Sequence, residues 1–341
     1  EVAALAALAA LHGIALAVPE LELAYTPIKN PLIDTAYGMM DQMTSACSRA
    51  QRLLALQCQP AELRGFLSLS EGVGLFGIDS GLRHSVQGSR YTQVRVAAFM
   101  GARILAERLG ARVHPLGPGR VELEGDPLGG YLCRLTPGGL APELLLALPE
   151  RLSGAAFVER FGGIADPVTS IEPGATYMVR AATLHPIFEH QRVTEFYDLL
   201  QRTTEAPELR RLGELMRASH ASYSACGLGS DGTDELAQGL TAAGPETGVF
   251  GAKITGGGSG GTVAVLARTD QRRSLELLSQ AYAVRSGRSS RLFCDSSPGA
   301  AEANAWTRPE SGPSSSAITA SRSGAPCSEC SPRPWITSTQ R

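Results

Sequence analysis

The chain has 341 residues and a hydrophobic content of 43%, enough to bury a proper core in two domains or one large one. Its formal net charge of -2 gives no electrostatic reason to expect nucleic acid or an anionic membrane surface as partner, which leaves small molecules. Seven cysteines in an odd, scattered set suit a reducing compartment, so a cytoplasmic location is expected.

Glu1 to His12 is an Ala/Leu run before Gly13 and reads as a buried helix. It has no basic n-region and is too short to span a bilayer. The stretch from Leu23 to Tyr37 holds Pro27 and Pro31 and has no hydrophobic period. Next, Gly38-Met39-Met40-Asp41-Gln42 sets one carboxylate among apolar neighbours. Asp41 could be the base or orienter for a hydroxyl nucleophile, or an acidic residue placed at a helix N-terminus by the local dipole.

Apolar runs at Leu53 to Leu56, Gly65 to Leu69 and Gly74 to Ile78, separated by turn residues, predict strands. Asp79, Ser80, Arg83, His84 and Ser85 crowd polar groups at the end of the last one. Tyr91 to Leu109 carries Val94, Ala97, Ala98, Gly101, Ile104 and Leu105 at helical spacing and stops at Gly110. Val193 to Leu200 and Leu209 to His220 are amphipathic, as is Ser274 to Tyr282, so the order is mixed α+β. Between them, Ser224 to Asp234 is a glycine-bearing loop in which Ser230, Asp231 and Thr233 can cap the following helix, and no obvious base flanks Cys226. Ala301 to Arg341 is rich in Ser, Pro, Arg and Thr and is expected to be disordered. Its Cys327-x-x-Cys330 lacks a second ligand pair, so no metal ligand set is assigned.

The densest signal is Gly251 to Val263, where Gly256, Gly257, Gly258, Ser259, Gly260 and Gly261 lie between two apolar runs. Such a loop lets backbone N–H groups crowd around an anion, or it is a long flexible hairpin. The spacing satisfies G-x-G-x-x-G, but β-branched residues follow where a dinucleotide fold needs a helix, so the reading is strand, turn, strand.

Gly38 to Gln42, Gly77 to Ser85, Cys226 to Asp234 and the glycine loop, in that order, resemble the GHMP small-molecule kinases, within them the galactokinase branch and its arabinokinase-like members. Ser296 to Ala300 resembles the family's final motif. The resemblance implies a two-domain fold, with residues 1–88 the remnant of an S5-like mixed-sheet domain, residues 89–300 a ferredoxin-like α/β domain and residues 301–341 an aberrant tail. It implies phosphoryl transfer from ATP, with Mg²⁺, to the anomeric hydroxyl of a free sugar. Asp41 then matches the catalytic aspartate. Gly38, Asp79 and Tyr91 match positions near the sugar, and Gly256, Gly257, Gly258, Ser259 and Gly260 match the motif beside the phosphate-binding loop. Galactokinases carry an aromatic residue at Ser259 and an asparagine at Asp79, and both departures favour a pentose such as L-arabinose over D-galactose.

The family's Ser-rich phosphate loop precedes a helix like the one at Glu1 and is not in this chain, and Lys29 stands where a Mg²⁺-ligating glutamate is expected. The chain as written is therefore expected to be inactive, with 23–37 and 301–341 read as shifted frames. A non-catalytic sugar sensor on a kinase fold is the alternative reading, against which Asp41 stands.

Overall fold

The computed structural model describes residues 40–58, 61–83, 90–202, 205–242 and 244–300. Expectations for Gly38, Lys29, His84, the N-terminal Ala/Leu run, Cys327, Cys330 and the 301–341 tail lie outside the described residues.

In chain order the protein forms α1 (Met40–Cys47), β1 (Leu53–Cys58), β2 (Ala61–Leu67), β3 (Val73–Asp79) and α2 (Arg90–Arg108). Then come β4 (Arg112–Gly117), β5 (Gly119–Glu124), α3 (Pro142–Ala147), β6 (Leu152–Ser153), α4 (Gly154–Phe161), β7 (Gly163–Ile164) and β8 (Thr176–Tyr177). The remainder is α5 (Val179–Leu200), α6 (Ala206–Cys226), α7 (Asp231–Thr241), β9 (Val249–Ile254), β10 (Thr262–Arg268), α8 (Arg272–Ser286) and β11 (Arg291–Phe293). The expected strands at Leu53, Gly65 and Gly74 form, as does the helix that starts beside Tyr91. Two helices run further than their amphipathic stretches predict: α5 starts at Val179 and carries Pro186 inside it, and α6 continues to Cys226.

The site rests on a four-stranded antiparallel sheet in the order β11-β3-β10-β9. β3, which lies before the boundary expected at residue 88, pairs with β10 from Val73↔Arg268 to Asp79↔Thr262. Alternation along β10 assigns its two faces. Val263, Val265 and Ala267 are buried with Leu236 and Leu240 of α7 and Leu275 and Tyr282 of α8. Ala264 and Leu266 are buried on the other side with Leu212, Leu215 and Met216 of α6 and Phe196 and Leu200 of α5. With both faces covered, the strand reads as an uninterrupted apolar run. A third cluster joins Val96, Met100, Ile104 and Leu105 of α2 to Phe157, Val179 and Ile187.

Glycines set how closely these layers meet. A Cβ on Gly213 of α6 would stand 1.9 Å from the Phe250 carbonyl oxygen of β9, and one on Gly251 would stand 2.5 Å from Gly213 Cα. α6 therefore lies with its backbone directly against β9. Its end is fixed by Gly227 at φ 101 and a Leu228 N–H to Tyr223 carbonyl bond of 2.9 Å, a left-handed cap that satisfies a carbonyl of the last turn. No helix among the described residues is long and apolar enough to cross a membrane.

Candidate active site

The glycine loop joins β9 to β10 as a hairpin, as the strand-turn-strand reading expects. Its neck is closed by Thr255, whose N–H and Oγ1 donate to the Thr262 carbonyl at 3.0 and 2.8 Å. Beyond the neck, Gly256, Gly258, Ser259, Gly260 and Gly261 take φ values of 65, 81, 61, 148 and 78. A run of positive φ needs glycine, and Ser259 holds that conformation at a cost of about 1 kcal/mol.

Two neighbouring loops grip this hairpin. On one side Ser259 N–H donates to the Leu228 carbonyl at 2.6 Å and the Tyr223 hydroxyl donates to the Gly256 carbonyl at 3.0 Å. On the other, Gly261 N–H donates to the Leu82 carbonyl at 3.0 Å, while Ser80 donates to the Gly261 carbonyl through N–H at 2.9 Å and Oγ at 2.6 Å. A Cβ on Gly258 would meet the Leu228 oxygen at 2.5 Å, and one on Gly260 the Leu82 oxygen at 2.9 Å. These two glycines are thus required by backbone packing as much as by any ligand. Around Gly256 and Gly261 a Cβ would meet nothing within 4 Å. Ser259 Oγ is buried and has no hydrogen-bond partner among the described residues.

Both flanking loops belong to stretches singled out in the sequence. Asp79 ends β3 with its side chain 13% exposed; its Oδ1 accepts from Gly81 N–H at 2.9 Å and its Oδ2 pairs with Arg83 at 3.1 Å. The carboxylate thereby shapes its own turn. The Ser224 to Asp234 stretch is less of a loop than expected: Ser224 to Cys226 finish α6, and Ser230 with Thr233 forms the capping box that starts α7. Burial pushes the Cys226 thiol up to about 11, which keeps it protonated and unreactive.

Tyr91, in the first turn of α2, lies against the hairpin, 3.8 Å from where a Gly257 Cβ would be. Its neighbour Arg90 donates to the Gly229 carbonyl at 3.2 Å. Asp79, Tyr91, Gly256 to Gly261 and Cys226 to Gly229 therefore converge at one end of the sheet. Asp41 occupies the exposed first turn of α1. That helix is anchored at its other end, where Ala300 N–H donates to the Ser45 carbonyl at 2.9 Å and Gly299 N–H to the Ser48 carbonyl at 2.6 Å.

A buried polar layer under the hairpin has no counterpart in the motif reading. Glu189 of α5 is 1% exposed and accepts from Arg192 Nε at 2.7 Å and from Ser219 Oγ, with Lys253 Nζ of β9 at 3.6 Å. Burial raises the Glu189 carboxyl, but the charges of Lys253 and its other partners outweigh this and hold it below the usual range. Lys253 also lies over the Tyr223 ring, 5.6 Å from its centroid. His220 of α6 accepts from Ile254 N–H through Nδ1 at 3.2 Å and places Nε2 3.1 Å from Asp234 Oδ1 of α7. A lysine within an apolar strand and Ser219-His220 on a helix face were the available signals, and neither carries a spacing that marks chemistry. Among the described residues no group of three or more His, Cys, Asp or Glu is placed to hold a metal ion.

Residues 199–282 match the GHMP kinases C-terminal family. L-arabinokinase from Arabidopsis thaliana is 40% identical over 321 residues, covering 88% of this chain and 31% of that protein. A galactokinase from Chloroflexus aggregans is 26% identical over 291 residues, covering 85% of this chain and 61% of its own length. The chain thus spans less than two thirds of either relative. The crystal structure of Lactococcus lactis galactokinase complexed with galactose superposes with a TM-score of 0.60 at 18% identity, over 88% of this chain and 64% of that one, a likeness of fold. With the α+β architecture, the gripped glycine hairpin and these matches together, the chain carries a GHMP kinases C-terminal domain and is similar to L-arabinokinase and galactokinase.

Proposed function

We propose that this chain is the sugar-phosphorylating part of an ATP-dependent kinase that transfers the γ-phosphoryl group to the anomeric hydroxyl of a free sugar, L-arabinose or D-galactose. The observation that carries the reading is the convergence of the 79–83 loop, Tyr91 and Cys226 to Gly229 on one glycine hairpin. Phosphoryl transfer demands mainly positioning and charge stabilisation, and a rigid backbone wall supplies positioning. In this reading Gly256 to Gly260 line the nucleotide, and Tyr91 and Asp79 border the sugar together with Gly38. Asp41 orients the attacking hydroxyl and takes up its proton. Mg²⁺ would enter with ATP as its counter-ion and supply charge neutralisation, and no protein ligand for it is assigned. A cytoplasmic location and a domain boundary at residue 88 belong to the same proposal, with β3 crossing into the C-terminal sheet.

The test is ADP release by the native gene product with ATP, Mg²⁺ and each of the two sugars. Turnover with one or both is expected, and Asp41→Asn should lower kcat by about 100-fold or more while sugar affinity stays within about threefold. No turnover of either sugar, or an Asp41→Asn enzyme of undiminished kcat, would sink the assignment.

A further inference from the structure

We propose that His220 is a positioning residue which holds the glycine hairpin in its ligand-receiving shape only as the neutral imidazole, so that protonation of its ring releases the hairpin. The inference rests on the reading above in one respect, that the hairpin is the wall of the nucleotide site.

β9 is an edge of the sheet, so part of its backbone faces away from β10 and must find partners elsewhere. The last such donor before the glycine run is Ile254 N–H, which meets His220 Nδ1 at 3.2 Å. A ring nitrogen can accept that bond only through a lone pair, so Nδ1 is unprotonated and the proton resides on Nε2, which stands 3.1 Å from Asp234 Oδ1 without forming a hydrogen bond to it. His220 is 9% exposed, Ile254 is fully buried, and water has little access to replace the bond. One residue beyond Ile254 the hairpin neck begins, and two beyond it stands the Gly256 carbonyl held by Tyr223. His220 and Tyr223 thus act from one helix on successive points of the same chain.

The charged and titratable groups around the ring come from each packed element: Asp234 from α7, Lys253 from β9 with its partner Glu189 from α5, and Tyr223 on α6 itself. Burial lowers the His220 pKa from its ordinary value; Asp234 opposes this and Lys253 adds to it. The ring is therefore neutral at neutral pH, and the Ile254 bond is intact. In acid, Nδ1 gains a proton, two donors face each other, and the bond to Ile254 is lost while Asp234 holds the charged ring in place. The hairpin is fastened above the folded pKa and loosened below it.

Hydrogen exchange on the full chain at pH 7.5 and at a pH below the midpoint of the His220 ring titration, corrected for intrinsic rates, reads this directly. Peptides covering residues 254–262 should lose about tenfold or more of their protection at the lower pH, while α2 peptides keep theirs. His220→Asn offers an amide oxygen near the Nδ1 position at any pH and should make hairpin protection independent of pH. The ring ¹⁵N shifts of wild-type His220 locate that midpoint and supply a readout that needs no variant: the Nε2–H tautomer is expected at pH 7.5. An Nδ1–H tautomer, unchanged wild-type protection below that midpoint, or an unaltered pH response in folded His220→Asn would each overturn the proposal. ATP affinity of the native gene product should fall in parallel with hairpin protection. Exchange behaving as expected in a protein that binds no ATP at any pH would support the latch and overturn the nucleotide reading.

Discussion

Gly258 shows why a glycine cluster is an ambiguous signal. Its φ of 81 and the Leu228 oxygen 2.5 Å from a would-be Cβ both exclude a side chain, and neither concerns a ligand. Gly258→Ala is therefore expected to displace the hairpin from the Cys226 to Gly229 loop and raise the KM for ATP by about tenfold or more, at a stability cost of about 2 kcal/mol. Gly257→Ala, whose Cβ would sit 3.8 Å from Tyr91 in ordinary contact, should leave stability within about 1 kcal/mol. Equal effects from the two would mean that backbone packing is not what the loop's glycines serve. From the sequence, the motifs were legible because each is a local run of residue types, whereas their approach to one another was implied only by the family resemblance. His220, Glu189, Lys253 and Tyr223 were not, since their partners lie on other elements and only folding makes them neighbours.

Close helix–sheet contact at Gly213 and Gly251 works the same way one level up. Neither glycine has a positive φ; both are small because α6 and β9 touch through their backbones. Gly213→Ala should force the helix off the strand and cost at least about 2 kcal/mol in denaturant unfolding. Gly239, exposed on α7 with nothing within 4 Å of its would-be Cβ, gives the opposite sign, and Gly239→Ala should stabilise by about 0.5–1 kcal/mol through helix propensity alone. A destabilised Gly239→Ala or a neutral Gly213→Ala would contradict this division. Elements with a clear local signal, such as the helical spacing of α2 and the unbroken apolar run of β10, are legible in the sequence. The first two turns and more of α5 are not, because Pro186 interrupts the helical signal that tertiary packing of Val179, Ala182 and Ile187 restores. β6, β7 and β8, two residues each, are too short to show alternation.

Across the whole molecule, buried titratable groups make the fold sensitive to acid in two successive windows. His185 of α5 is 5% exposed, with Nδ1 2.8 Å from Ser222 Oγ of α6, and burial lowers its pKa to about 4, with Glu189 opposing and Arg192 and Lys253 assisting. The unfolded chain takes up this proton near the ordinary histidine value of about 6.5 and the folded chain does not. Between those values the unfolded state binds more protons, so stability rises with pH and is lost as pH falls from about 6.5 towards 4. The second window belongs to carboxylates. Burial raises Asp166, but its paired bonds with Arg95, 2.8 Å each, more than reverse the effect, and Glu189 is likewise held low. Both contribute stability above the unfolded carboxylate range of about 4 that disappears as pH falls through their lowered folded values. Urea unfolding at pH 7 and pH 5 should therefore find wild type weaker in acid, with about 2 kcal/mol of the loss due to His185. His185→Asn removes the titrating ring, so its deficit relative to wild type should narrow by about that amount at pH 5. A deficit that is constant across this range would show that His185 is not the group through which mild acid acts on the fold.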